Sequence, residues 1–124
     1  MNDFDFSRQR RLLTAGDYRR VFEKAHFKVS DQHLLILARP GQTPQSRLGL
    51  VIAKKHLKRA VDRNRVKRIL RETFRTLEPP LEPAMDIVVL ARKGLGEIEK
   101  PALQRIFNKQ WRRLAKKMQQ SAEN

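Results

Sequence analysis

The sequence has no cysteine, which excludes disulfides, thiolate metal ligation and a cysteine nucleophile, and fits a reducing compartment. Histidine is almost as scarce, with only His26, His33 and His56. A protein nuclease ordinarily needs clustered carboxylates for two metals, or a histidine placed as acid or base. Here the thirteen Asp and Glu are dispersed: Glu97 and Glu99 are the closest strand-like pair, and Asp62 and Glu72 are embedded among arginines. His56 follows Lys55 with no acidic partner in its own segment, and there is no Walker loop, GxGxxG or metal-spaced His/Asp cluster. Chemistry carried by protein side chains is therefore not expected. No apolar run approaches the ~18 residues of a spanning helix. The start, MNDFDFSRQRRLL, has no long apolar region of the secretory type, so a cytoplasmic protein is expected.

What the chain has in excess is positive charge. Lys and Arg number 28 against 13 Asp and Glu, a formal net charge of +15 that exceeds what solubility calls for and implies a polyanionic partner. A membrane surface is the weaker reading, because a peripheral protein also needs an apolar anchor. The 124 residues suit one domain with one core, and a hydrophobic fraction of 40% supports folding rather than a disordered basic tail. The polar ends, residues 1–8 and 120–124, are expected to fray.

Thr14-Ala-Gly-Asp17 approximates a capping box and opens a short helix to about Ala25, with Tyr18, Val21 and Phe22 on one face. His33–Arg39 (HLLILAR) and Arg47–Ala53 (RLGLVIA) are apolar runs of strand length separated by the turn-forming PGQTPQS, which reads as a β-hairpin. HFKVSDQ before them supplies a further short strand. From about Ala60 to Leu77 the period becomes helical: Val66, Ile69, Leu70, Thr73, Phe74 and Leu77 fall within roughly 140° of arc. Pro79, Pro80 and Pro83 stop this helix. Asp86–Arg92 (DIVVLAR) reads as a buried strand. A last helix from about Pro101 to Met118 carries the stripe Leu103, Ile106, Phe107, Trp111, Leu114 and Met118. The expected fold is α+β, a small sheet with helices on one face.

Charge concentrates in the middle helix and its approach. Lys54 to Arg75 holds ten Lys or Arg and two acids, a net +8 in 22 residues. Asn64, Lys67, Arg68, Arg71 and Arg75 cluster within about 100° of arc, away from the apolar side. Like charges at i and i+4, such as Arg63, Lys67, Arg71 and Arg75, each cost a few tenths of a kcal/mol unless something neutralises them. A phosphate backbone does so, since arginine forks grip phosphate oxygens and neutralised phosphates release counterions. Arginine also stacks on exposed bases, and Asn64 can both donate and accept toward base edges or a 2′-hydroxyl. The expected partner is RNA.

These residues resemble the protein component of bacterial ribonuclease P over roughly residues 8–115. The most specific segment is GLVIAKKHLKRAVDRNRVKRILRETFR, Gly49 to Arg75, in which a lysine pair leads into an Arg-Asn-Arg helix. RLLTAGDYRRVF and DIVVLARKG support the match on either side. The resemblance implies a ribosomal protein S5 domain 2-like fold with an uncommon left-handed βαβ crossover, where the usual rule would give the opposite hand. It implies that Lys54, Lys55, Arg59, Arg63, Asn64, Arg65, Lys67, Arg68 and Arg71 hold the catalytic RNA. It also implies that Tyr18 and Phe22 line a cleft for the 5′ leader of precursor tRNA. Cleavage would belong to the RNA subunit, with Mg²⁺ bound mainly through that RNA, and no obligate protein partner is implied. Two positions depart from the family pattern: Val51 stands where a hydroxyl residue is frequent, and Ile36 where some members carry an aromatic. Phe27 is the candidate for replacing the lost aromatic area.

Overall fold

The computed structural model describes residues 10–12 and 14–123. The segment 1–8, expected to fray, lies outside the described residues. In chain order the elements are α1 (Ala15–Glu23), β1 (Phe27–Ser30), β2 (Leu34–Pro40), β3 (Arg47–Val51), α2 (Ala60–Arg75), β4 (Met85–Ala91), a 3-10 turn (Leu95–Glu97) and α3 (Lys100–Glu123). The α+β class and the element order are those expected. The capping box is present at α1: the Thr14 hydroxyl accepts from the Asp17 N–H at 3.1 Å, and the Thr14 N–H donates to the Asp17 carboxylate at 3.2 Å.

The strand pairing departs from expectation. The sheet order is β1-β2-β4-β3, so the two apolar runs read as a hairpin are not neighbours. β4 lies between them, antiparallel to β2 and parallel to β3, and the true hairpin is β1–β2. The reason is burial: Met85 to Val89 are all buried, so β4 has apolar side chains for both faces and takes the centre. A parallel β3–β4 pair needs a crossover, and α2 supplies it.

Helices also lie on both faces of the sheet rather than on one. On the first face, Ile36, Ala38, Leu48, Ile87 and Val89 pack with Val66, Ile69, Leu70 and Phe74 of α2 and with Leu103, Phe107, Trp111 and Leu114 of α3. On the second face, Val88 packs with Leu12 and with Val21 of α1, and partly buried Tyr18, Leu37, Val51 and Leu90 surround them. Alternation along β4 sends Ile87 and Val89 to one side and Val88 and Leu90 to the other. The α2–α3 contact carries its own polar lock: the indole Nε1–H of Trp111 donates to the Thr73 hydroxyl at 2.9 Å, which donates to the Leu70 carbonyl at 3.0 Å. The Phe74 and Trp111 rings lie 5.1 Å apart at 57°.

Both sheet edges are engaged. Beside β3, Arg11 forms a parallel bridge to Leu48, and the Leu12 N–H donates to the Leu48 carbonyl at 3.2 Å. Beside β1, Lys117 of α3 donates to the Lys28 carbonyl at 2.6 Å and Arg113 to the Ser30 carbonyl at 3.2 Å.

Candidate nucleic-acid interface

α2 buries Val66, Ile69, Leu70, Thr73 and Phe74, which turns Asn64, Arg68, Arg71 and Arg75 to the opposite side. Lys54, Lys55, Arg59, Asn64 and Arg68 are exposed, while Arg63, Arg65, Lys67 and Arg71 are half-buried. The two arginines of the Arg-Asn-Arg motif hold the helix in place. Arg63 Nη1 donates to the carbonyls of Leu57 and Lys58, both at 2.9 Å, folding the Lys54–Arg59 approach onto the first turn of α2. Arg65 donates from Nη1 to the Ile98 carbonyl and from Nη2 to the Gly96 carbonyl, both at 3.0 Å, tying α2 to the 3-10 turn. A guanidinium has five N–H donors, so each keeps donors beyond these bonds. Between them Asn64 faces solvent.

This geometry separates two substitutions that the sequence treats alike. Arg65→Ala removes two charge-assisted bonds to backbone carbonyls and is expected to cost about 1–3 kcal/mol of stability, read as a lower denaturation midpoint. Arg68→Gln touches an exposed side chain and should leave that midpoint within about 0.5 kcal/mol. Equal midpoints for the two variants would remove the anchoring role of Arg65.

Four arginines crowd where α2 meets the start of the described chain. Burial and the neighbouring charge of Arg11 push the Arg71 guanidinium below its ordinary pKa, with Tyr18 acting in the opposite direction. Burial and Arg75 push Arg10 down in the same way, and Arg10 lies 5.8 Å from the centre of the Phe74 ring. Compressed positive charge of this kind is relieved by an anion.

Tyr18, whose charge acts on Arg71, belongs to the second face of the sheet. There the Tyr18 ring lies on Gly49: a Cβ added to Gly49 would come within 2.7 Å of ring atoms Cε2 and Cζ. Phe22, one turn further along α1, is 44% exposed, unusual for a phenylalanine without a partner, and Val21 between them is fully buried. Tyr18, Leu37, Val51 and Leu90 thus make a partly open apolar shelf beside α1, with the exposed Phe22 one turn beyond Tyr18 on the helix. Val51 belongs to it. Ile36 does not, being 1% exposed in the main core on the other face, and Phe27 also packs against that core. Neither departure from the family pattern at Ile36 nor compensation by Phe27 bears on this shelf; the β2 residue contributing to it is Leu37.

A second element of the site gives no signal in sequence. Arg47 of β3 forms a two-pronged bond to Asp86 of β4, Nε to Oδ1 at 3.0 Å and Nη2 to Oδ2 at 2.8 Å. Asp17 of α1 lies 3.6 Å from the same Nη2 and also accepts from Arg20 at 3.0 Å. The Asp86 hydrogen bond holds the Arg47 guanidinium above its ordinary pKa despite burial. Since Asp17 also closes the capping box, this network pins the first turn of α1, and so Tyr18, to the sheet.

The ribonuclease P family model matches residues 6–115 of the 124. The chain belongs to the ribonuclease P protein family. The ribonuclease P protein component of Chromohalobacter salexigens is 51% identical over 116 residues, covering 94% of this chain and 90% of that protein. That of Pseudomonas aeruginosa PAO1 is 52% identical over 110 residues, covering 89% and 81%. Among solved structures, the Staphylococcus aureus RNase P protein superposes with a TM-score of 0.72 at 26% identity, over 86% of this chain and 93% of that one. The Thermotoga maritima protein gives 0.68 at 29% identity, over 82% and 96%. Membership makes the chain a protein component of a tRNA-processing ribonucleoprotein nuclease. No helix among the described residues is long and apolar enough to cross a membrane.

Proposed function

We propose that this chain binds the RNA subunit of ribonuclease P through the outer side of α2 and the Lys54–Arg59 approach. The shelf beside α1 then takes the single-stranded 5′ leader of precursor tRNA. The observation that carries this reading is the pair of surfaces the fold presents: the outer side of α2, with exposed Asn64 and Arg68, and the partly open aromatic and apolar shelf of Tyr18 and its neighbours. Lys54, Lys55, Arg59, Asn64 and Arg68 offer exposed groups to phosphates; half-buried Lys67 and Arg71 widen the strip, and Arg63 and Arg65 add their remaining N–H donors. Bases stack on Tyr18 of the shelf and on Phe22 beyond it without a demand for sequence. Leader cleavage is the work of the RNA subunit and its Mg²⁺, in the cytoplasm.

Reconstitution tests the reading. Purified protein with Mg²⁺ and precursor tRNA should cut nothing, and addition of the cognate RNA subunit should give accurate 5′ ends at Mg²⁺ concentrations where the RNA alone is slow. The protein should strengthen binding of precursor tRNA over mature tRNA. Cleavage by protein alone, or equal strengthening of both tRNAs, would overturn it.

A further inference from the structure

Outside α2 the largest concentration of charge is on α3. Residues 100–121 carry seven Lys or Arg and no acid. These seven do not act alike. Lys117 and Arg113 reach the β1 carbonyls, and Arg113 also donates to the side chain of the buried Gln110 at 2.7 Å. Arg105, Lys109, Arg112 and Lys116 are different. At 100° per residue they fall within roughly 60° of arc, centred opposite the buried Leu103, Phe107, Trp111 and Leu114. All four are exposed, and among the described residues no ion pair is formed by any of them. Spacings of three and four residues put each beside its neighbours, so the stripe is a run of like-charge repulsions, each costing a few tenths of a kcal/mol. An ordinary solvated helix face intersperses the two signs; this one does not.

The stripe covers eleven residue steps, about 17 Å of helix. Polynucleotide backbone offers a matching row, with a phosphate every few ångströms along each strand. It is also separate from the leader shelf: α2 and α3 belong to the layer on one face of the sheet, whereas Tyr18 lies on the other face.

We propose that Arg105, Lys109, Arg112 and Lys116 form a second phosphate-binding surface, which docks a helical segment of the ribonuclease P RNA different from the one held by α2. The occupant is assigned to that RNA, rather than to the substrate, because the stripe shares its layer with α2 and turns away from the leader shelf. Binding through it depends on charge and backbone shape, since none of the four side chains is aromatic or an amide. The inference rests on the reading of the chain as an RNA-bound subunit.

The test uses the full-length chain with all four residues changed to Gln (R105Q, K109Q, R112Q, K116Q), which keeps helix propensity and side-chain length. The melting temperature, read first, should stay within a few degrees. Binding to the full-length ribonuclease P RNA is then titrated at several salt concentrations beside the wild type and R68Q. Neutralising four phosphate contacts should flatten the slope of log K against log salt by about 3 and weaken binding at least tenfold near 0.1 M salt. Hydroxyl-radical protection should vanish from an RNA segment that R68Q leaves protected, while the preference for precursor over mature tRNA is kept. An unchanged slope and affinity would overturn the proposal, as would loss of the same segment in both variants, or weakening confined to tRNA. Failure of the wild type itself to bind the RNA would instead overturn the underlying function, so the two failures are distinguishable. If the quadruple variant unfolds, the pair R105Q and K109Q should flatten the slope by about half as much, and an unchanged slope there counts against the proposal equally.

Discussion

Asp86→Ala should destabilise the protein by about 3–5 kcal/mol, a fall in melting temperature of roughly 10–25 °C. The Asp86 side chain is 2% exposed and that of Arg47 13%, so the substitution leaves a guanidinium largely desolvated with only Asp17, at 3.6 Å, still near. The magnitude is the cost of the orphaned charge, not the net worth of the pair. For that reason the double variant Arg47→Met, Asp86→Leu should regain most of the loss, because an apolar pair of similar volume avoids the desolvation of both ions. A double-mutant cycle over the four proteins by urea denaturation measures this coupling. A loss below about 1 kcal/mol in Asp86→Ala would mean that the network is solvated in solution. The double variant also loses the anchor of Asp17, so it should show weaker leader-dependent binding even where stability is regained.

Tyr18→Leu is expected to reduce the affinity for precursor tRNA by roughly 5- to 150-fold, the range set by about 1–3 kcal/mol for one stacked base, with mature tRNA unaffected. Leucine is the informative replacement because Tyr18 packs on the cluster of Leu12, Val21 and Val88. Alanine would open space there and mix a stability loss into the binding result. Gly49→Ala approaches the same ring from below. Its Cβ would sit 2.7 Å from ring carbons, so Tyr18 must move, and leader affinity should fall several-fold with the tyrosine itself intact. Equal binding of precursor tRNA by wild type and both variants would take the leader off this shelf.

The residues most legible in sequence were those whose partners lie close along the chain. The α1 cap joins positions three apart, and the α2 and α3 stripes repeat at helical period, so each element announced itself. Pairing across the sheet was not legible. Two apolar runs flanking a turn-rich linker look the same whether they pair or receive a third strand between them, and β4 arrives only after α2. One signal for its central place was present: Asp86–Arg92 is apolar at both odd and even positions, which a strand with one wet face would not be. The same pattern marks a sheet covered on both faces. Arg47 and Asp86 lie 39 residues apart and follow no period, so neither residue pointed to the other. At the basic helix, charge count alone could not distinguish Arg65, turned inward to two carbonyls, from Arg68, turned outward.

The engagement of both sheet borders has a consequence for behaviour in concentrated solution. An open four-stranded sheet offers two rows of unpaired amides and carbonyls on which a neighbouring molecule could add a strand. Here Arg11 and Leu12 run alongside one border, and two cations from α3 lie on carbonyls of the other. Any approaching strand must displace chain on one side or bring its own amides against ammonium and guanidinium on the other. The same residues that join the layers therefore also discourage strand-by-strand polymerisation while the protein awaits its RNA.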